Sequence, residues 1–460
     1  MASLVPFHLT MSPLLRFLLT IALPFCVVAT PIDPHETRDA SLSACAASMN
    51  GILPSPTPSG YVFSGNIRKY YVAAEEVEWN YAPTGWDNWL GVPLNISPRA
   101  QMSGMTAHGT TWLKALYRGY TDATFTTESP QPPWQGTLGP TLRSEVGDLV
   151  EIMFVNRLSQ NYASMHSMGL SYTKYDEGSA YPNNTVPGQE VNLPNAEAVP
   201  PGGCVIYKWF VDEVSGPPAG QPAVARSYHS YVALQQDTNA GLIGPQIVYA
   251  PGQMAATMAN YREFPLLYMI YNEGDSFLSG QNAAALESGY SSSENSSYLS
   301  GSGVVSSHGP YKPSQGGNVG SVNSDILNLG NKSVWQPQFT NIAGANRFDG
   351  APSVHTMNGY IFANNPMFEM CLGDNVIWYT MSYGSMSHVF HMHGNSFRYN
   401  GIGTPSISIN DGEHRTLFMN ATGAGLWQVL CHVNMHQSMG MVSNYQVYFA
   451  GQCPLSTLGS

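Results

Sequence analysis

Short apolar runs rich in β-branched and aromatic residues recur along the chain. Examples are Asp148 to Val155 (DLVEIMFV), Cys204 to Val211 (CVIYKWFV), Phe264 to Tyr271 (FPLLYMIY) and Asn375 to Tyr379 (NVIWY). Many are bounded by Gly, Pro or Asn clusters, the pattern of strands separated by tight turns. No segment carries a convincing helical period, so the expected architecture is all-β and built of sandwiches. From Phe277 to Asp325 the chain turns to Ser, Gly and Asn, as in SSSENSSYLSGSG. Such a stretch buries too little apolar surface to offset its ordering entropy, and residues 277–325 are expected to form a mobile surface insertion.

The strand pattern repeats once. A Gly147-Asp148 turn opens a strand and leads to Met165-His166-Ser167-Met168-Gly169, and a Gly373-Asp374 turn opens another and leads to Phe390-His391-Met392-His393-Gly394. The intervals from Gly to the first His are 19 and 18 residues. Further on, Tyr228-His229-Ser230-Tyr231 has its counterpart in Leu430-Cys431-His432-Val433, each before a Gly-containing last strand. Two sandwiches on one plan follow, at 60–252 and 255–455.

Composition narrows the setting. Only 10% of the 460 residues are charged, whereas Gly (45), Pro (33) and Tyr (26) are plentiful, as expected of a turn-rich secreted protein. The net charge of −12 excludes the basic footprint needed for nucleic acid. Arg16 precedes an apolar stretch from Phe17 to Ala29, so residues 1–29 read as a signal peptide and 30–59 as an N-terminal extension. No later apolar run is long enough to span a bilayer, so no membrane attachment is expected after cleavage and the mature chain is expected outside the cell or in the secretory lumen. N-x-[ST] sequons begin at Asn95, Asn183, Asn295, Asn331 and Asn420, so a glycoprotein is expected there. With Cys26 in the signal, five cysteines remain, an odd number in a compartment that favours disulfides. One of them needs another occupation.

His388, Cys431, His436 and Met441 supply it. Cys is followed after four residues by His and after four more by Met. Two imidazoles, a thiolate and a weak thioether are the ligand set of a blue-copper electron-transfer centre, since soft sulfur favours Cu(I) while imidazole still accepts Cu(II). The plainer alternative makes Cys431 and Met441 core residues and His436 a surface one. His391 and His393, two apart on a strand, share a face, and His432 adjoins the cysteine. His166 and His229 occupy matching positions in the first half, so a second copper-binding region is expected. Assigning Cys431 to copper leaves Cys45, Cys204, Cys371 and Cys453, which allow three disulfide connectivities.

These residues sit among longer motifs: Tyr70-Tyr71-Val72-Ala73-Ala74-Glu75-Glu76, Trp79-Asn80-Tyr81-Ala82-Pro83, Tyr120-Thr121-Asp122, Pro133-Trp134, Leu138-Gly139-Pro140, Gly241-Leu242-Ile243-Gly244-Pro245 and Met357-Asn358-Gly359-Tyr360. Together with His388 to Gly394 they make the chain resemble the ceruloplasmin branch of the multicopper oxidases over most of both halves. The resemblance implies two cupredoxin-like Greek-key β-sandwich domains and a type 1 copper held by His388, Cys431, His436 and Met441. It also implies a trinuclear cluster of eight histidines, of which this chain has Met168, Tyr231 and Leu430 at three places. His166 and His391 would hold the type 2 copper. His229, His393 and His432 would be the remnant of the type 3 pair, one position framed by Met168, His229 and His432 and the other by Tyr231, His393 and Leu430. Leucine cannot bind a metal, which leaves that last position empty unless Tyr231 ionises at copper.

The expected function is a copper-dependent oxidoreductase in which a small organic, phenolic donor gives single electrons to the type 1 copper, and these pass through Cys431 and His432 to the incomplete centre. Dioxygen or another small molecule is the acceptor, although four-electron reduction to water is not expected from so few coppers. In the family's ferroxidases an acidic residue precedes the second blue-site histidine, whereas Met435 stands there, and Glu273 with Asp275 reads as a solvated turn. A ferroxidase, an enzyme resembling the copper nitrite reductases and a catalytically decayed copper-binding protein remain alternatives. Because the family's cluster joins a first-type domain to a blue-site domain, one domain of each kind per chain implies a head-to-tail homotrimer.

Overall fold

The computed structural model describes residues 42–102, 105–179, 197–289, 337–348 and 350–456. The signal peptide, the sequons at Asn183, Asn295 and Asn331, and residues 290–325 of the insertion lie outside them.

The first sandwich pairs a sheet ordered Thr111–Tyr120, Ile67–Asn80, Leu149–Asn156, Cys204–Phe210, Ser171–Tyr172 with one ordered Leu142–Glu145, Ile243–Tyr249, Ala223–His229, His166–Met168. The second pairs Ser353–Met357, Arg262–Asn272, Asn375–Tyr383, His414–Asn420, Phe397–Tyr399, Ile402–Thr404 with Phe368–Cys371, Val442–Tyr448, Gly425–Cys431, Ser387–Met392, Ser406–Asn410. Each of the nine strands of the first sandwich has a counterpart at the same place in the second, including the parallel pair in each sheet, and the second adds Ile402–Thr404 and Ser406–Asn410 at its sheet edges. The all-β, two-sandwich architecture expected from the repeat is the one found, and it is the cupredoxin-like plan that the resemblance implies.

The Leu149–Asn156 strand is buried along its whole length. One face packs on Tyr117, Tyr207 and Trp209 in the sandwich core, and the other, through Met153 and Val155, on Met49 of the N-terminal extension. A strand covered on both sides reads as a continuous apolar run rather than an alternating one. Glu151 interrupts that run and is buried, yet it faces Lys208 Nζ at 3.2 Å and accepts a hydrogen bond from the Gly51 amide at 3.0 Å. The Cys45–Cys204 disulfide fastens the extension and a second, Cys371–Cys453, ties the last residues to the second sandwich. Cys431 is the free, buried cysteine, so one of the three connectivities is realised and the odd thiol is the one singled out above.

Two expectations are corrected. The insertion does not begin as a mobile surface segment: Phe277 and Leu278 are buried in the first sandwich's core, and Ser279–Gly289 is a helix. Asn282 on that helix accepts from the Leu113 amide at 2.8 Å and donates to its carbonyl at 3.1 Å, so one side chain does the work of a neighbouring strand for an edge residue. The Ser, Gly and Asn content that suggested mobility hid this docking role, and short helices such as Leu234–Ala240, Met254–Asn260 and Asn434–Ser438 also escaped the periodicity. Glu273 is not part of a solvated turn. It is fully buried in the seam between the sandwiches, 2.8 Å from Lys114 Nζ, with Tyr81 donating its hydroxyl to the same carboxylate and Lys114 lying 4.1 Å over the Tyr271 ring. Asp275 is engaged by Gln235 at 3.0 Å. Among the described residues no helix is long and apolar enough to cross a membrane.

Candidate metal centres

The Ser387–Met392 strand alternates inward and outward positions and turns His388 into the second sandwich, while the Gly425–Cys431 strand beside it ends on Cys431. Beyond Cys431 the chain makes one short helix, Asn434–Ser438, and closes back on itself: the Met441 amide donates to His436 O at 3.0 Å and the Cys431 amide to Met441 O at 3.1 Å. Gly440, at φ 114°, allows the reversal, and its carbonyl accepts from the Phe362 amide at 2.8 Å. The Cys-x4-His-x4-Met spacing thus becomes a clasp that delivers three side chains to one point.

His388, Cys431, His436 and Met441 are all buried. Cys431 Sγ lies 3.5 Å from His436 Nδ1 and 3.7 Å from His388 Nδ1, and Met441 Sδ lies 3.1 Å from His388 Nδ1. A tetrahedral shell of two nitrogens and a thiolate has donor separations of about 3.5 Å, so the set fits one ion of that size without rearrangement. Both outer nitrogens, His388 Nε2 and His436 Nε2, are buried and lack a hydrogen-bond partner. Burial, reinforced by His436, pushes the His388 pKa down to about 3, and burial lowers His436 as well, which keeps both rings neutral and ready as ligands. Burial raises the Cys431 thiol, opposed by the Val389 and Val433 amides that point at its sulfur, so ion binding must displace a proton there.

One neighbour escaped the sequence reading. His355, on the Ser353–Met357 strand, packs its ring 5.0 Å from that of His436, with its Nδ1 buried and unpartnered, and burial with His436 beside it lowers its pKa to about 4. Its signal was available: a histidine in the short segment Ser353-Val354-His355-Thr356 that leads into Met357-Asn358-Gly359-Tyr360. On the other side Tyr268 stacks on His388, centroids 5.6 Å apart. Met435, just before His436, is exposed.

The remaining histidines form two half-sites. In the first sandwich His166 and His229 are register partners on adjacent strands, their rings 5.4 Å apart, and Tyr231 lies 5.1 and 5.6 Å from them. Met168 sits opposite Ser227 on the same strand pair. In the second, His391 stands 5.3 Å from His393 and 5.0 Å from His432. Its register partner is Leu430, buried where the first sandwich has His229. Three Nδ1 atoms are tied to backbone carbonyls: His166 to Glu177 at 2.7 Å, His229 to Ser230 at 2.9 Å and His391 to Pro405 at 2.7 Å. Donation there fixes the tautomer that leaves Nε2 free for a metal. Burial lowers the pKa of His166, and that of His229 to about 4.

Among the described residues, three or more His, Cys or carboxylate ligand atoms converge within 4.8 Å only at His388, Cys431 and His436. Across the seam His229 faces Tyr383 at 5.5 Å, whose hydroxyl lies 2.6 Å from Ser227 Oγ, itself 2.7 Å from His414 Nε2. His393 and His432 are open to the surface.

Comparison with known proteins shows what the chain is similar to. Residues 331–449 match the multicopper oxidase family model. The chain is 30% identical to hephaestin of Rattus norvegicus over 394 residues, 83% of this chain and 30% of that protein, and 28% identical to ceruloplasmin of Homo sapiens over 395 residues, 83% and 32% respectively. It therefore spans about a third of the length of these relatives. A solved structure, the multicopper oxidase mgLAC, aligns over 85% of this chain and 88% of its own at 14% identity with a TM-score of 0.47. Residues 331–449, in the second half, thus match the multicopper oxidase model, and the chain is similar to hephaestin and ceruloplasmin over most of its own length.

Proposed function

We propose that the protein is a secreted copper-dependent oxidoreductase that takes single electrons from a small organic, phenolic donor at a type 1 copper held by His388, Cys431, His436 and Met441. The observation that carries the reading is the buried convergence of two neutral imidazole nitrogens, one free thiol and one thioether with donor separations of 3.1–3.7 Å. A copper ion bound there supplies a one-electron couple. The chain's own residues do the rest. Cys431 and His432 are consecutive, and the His432 ring packs 5.0 Å from His391, so the peptide itself links the blue site to the second half-site. Burial of Glu273 against Lys114 and an exposed Met435 beside His436 leave no carboxylate from either position to attract Fe(II), which favours an organic donor over the ferroxidase alternative.

His166 and His391 would hold a type 2 copper, with His229, His393 and His432 as the remaining ligands. Among the described residues neither half-site brings three ligand atoms within 4.8 Å by itself, which supports an assembly in which the first sandwich of one subunit meets the second sandwich of the next, closing as a homotrimer. Fewer than four coppers per chain are expected, because Leu430 offers no donor, and dioxygen or another acceptor would be reduced incompletely. Two disulfides suit an oxidising compartment. The test is subunit mixing: His166→Ala and His391→Ala proteins, each short of the type 2 copper, should recover part of it when mixed if the site lies between chains. No recovery, together with a monomeric mass by light scattering, refutes the shared site.

A further inference from the structure

A cleft of about 260 Å³ opens at the seam of the two sandwiches, away from every histidine discussed above. Trp79 and Tyr360 form two of its walls, their rings 5.1 Å apart and inclined at 59°. Neither ring is free to swing: Trp79 Nε1 donates to Gly359 O at 2.6 Å, and the Tyr360 hydroxyl donates to Pro133 O at 3.2 Å. Gly136 closes the floor. At φ 60° it comes so near the second sandwich that a Cβ there would lie 1.8 Å from Asn358 O, so this approach is open to glycine alone.

Two charges line this aromatic slot. Arg118, on the Thr111–Tyr120 strand, projects into it, and Glu128 stands at its rim. Six other arginines, Arg68, Arg99, Arg143, Arg157, Arg262 and Arg415, each close an ion pair with a carboxylate. Among the described residues the Arg118 side chain has neither an ion pair nor a hydrogen bond, and Glu128 has no ion pair. Burial is the main influence on Arg118, and it works against the charge while Glu128 acts at a distance to preserve it. A guanidinium partly withdrawn from water without an anion is an arrangement that gains from a ligand carboxylate, and its planar fork suits one. The unpaired carboxylate nearby selects against a simple anion and for a ligand that also carries a cation.

We propose that this cleft binds a free α-amino acid zwitterion with an aromatic side chain, its carboxylate on Arg118, its ammonium on Glu128 and its ring against Trp79 and Tyr360. The volume lies below the roughly 300–1,000 Å³ of drug-sized sites, which fits a single amino acid better than a peptide. No histidine or cysteine lines the site, and it is tested on the whole chain with and without copper. Calorimetry with L-phenylalanine should give saturable binding that Arg118→Gln weakens by at least about tenfold, the loss expected for a charge-assisted pair. Glu128→Gln should weaken phenylalanine but leave 3-phenylpropionate, which lacks the ammonium, unchanged or improved. The head of Arg118 makes no structural bond, so the melting temperature of Arg118→Gln should match the wild type and certify the fold. Absence of saturable phenylalanine binding to the wild type, equal binding to Arg118→Gln, or 3-phenylpropionate binding the wild type as tightly as phenylalanine each overturns the proposal.

Discussion

Gly440→Ala tests whether the clasp around the blue site depends on one backbone conformation. At φ 114° an alanine is strained, at about 1–3 kcal/mol for a sparsely populated region. Its Cβ would also stand 3.0 Å from Ile361 Cβ and 3.2 Å from the Phe362 ring, both in the well-packed seam core, where overpacking costs about 1–3 kcal/mol. The control is Gly401→Ala, at φ 78° in a surface turn with nothing within 4 Å of the new atom, where only the strain, about 1–2 kcal/mol, applies. In a sandwich of about 200 residues each kcal/mol moves the melting temperature by about 2–4 °C, so Gly440→Ala should melt lower than Gly401→Ala by at least about 2 °C. Calorimetry on copper-free protein reads this difference. Because the residue after Gly440 is Met441 and its amide is bound to His436 O, the same substitution should shift the blue absorption band of copper-loaded protein, while Gly401→Ala leaves it in place. Equal melting temperatures with an unchanged band would mean that the clasp tolerates a Cβ and that its geometry is not fixed at Gly440.

Restoring Met168→His, Tyr231→His and Leu430→His together should raise copper content and oxygen consumption, as measured by metal analysis and an oxygen electrode; unchanged copper would show that these positions do not face a metal. Leu430→His alone should lower the stability of copper-free protein by about 1–3 kcal/mol, since a polar ring replaces a buried apolar side chain. His414 is half-buried with its Nε2 2.7 Å from Ser227 Oγ, and desolvation with the nearby Arg226 charge pushes its pKa down to about 3, so the folded chain refuses a proton that the unfolded chain accepts below about pH 6.5. Stability from this residue is therefore full above pH 6.5 and declines as pH falls toward 3, and the wild-type melting temperature should drop relative to His414→Gln across that window. Parallel curves would contradict the assignment.

Much of this was legible in the sequence because the chemistry and the repeat are local. The 19- and 18-residue intervals from turn glycine to histidine became equivalent strand pairs, and His166 opposite His229 mirrors His391 opposite Leu430. The blue-site ligands were visible because Cys431, His436 and Met441 lie on one short loop. What stayed hidden depends on distant contacts. His355 lies 81 residues before His436, and only the packing of two strands and a loop brings their rings to 5.0 Å. Glu273 looked like a turn residue because Lys114 and Tyr81, which bury it, come from the other sandwich. The helix at Ser279–Gly289 carries no apolar stripe, since it docks through Phe277, Leu278 and the amide of Asn282.

The central claim is that Cys431 is a copper thiolate in a buried four-ligand site. The absorption spectrum of copper-loaded wild type beside Cys431→Ser tests it most directly. The account predicts an intense blue band in the wild type and none in the variant, with the loss of about one copper per chain and the retention of the remainder. A fully copper-loaded wild type without colour, or a variant as blue as the wild type, would contradict it.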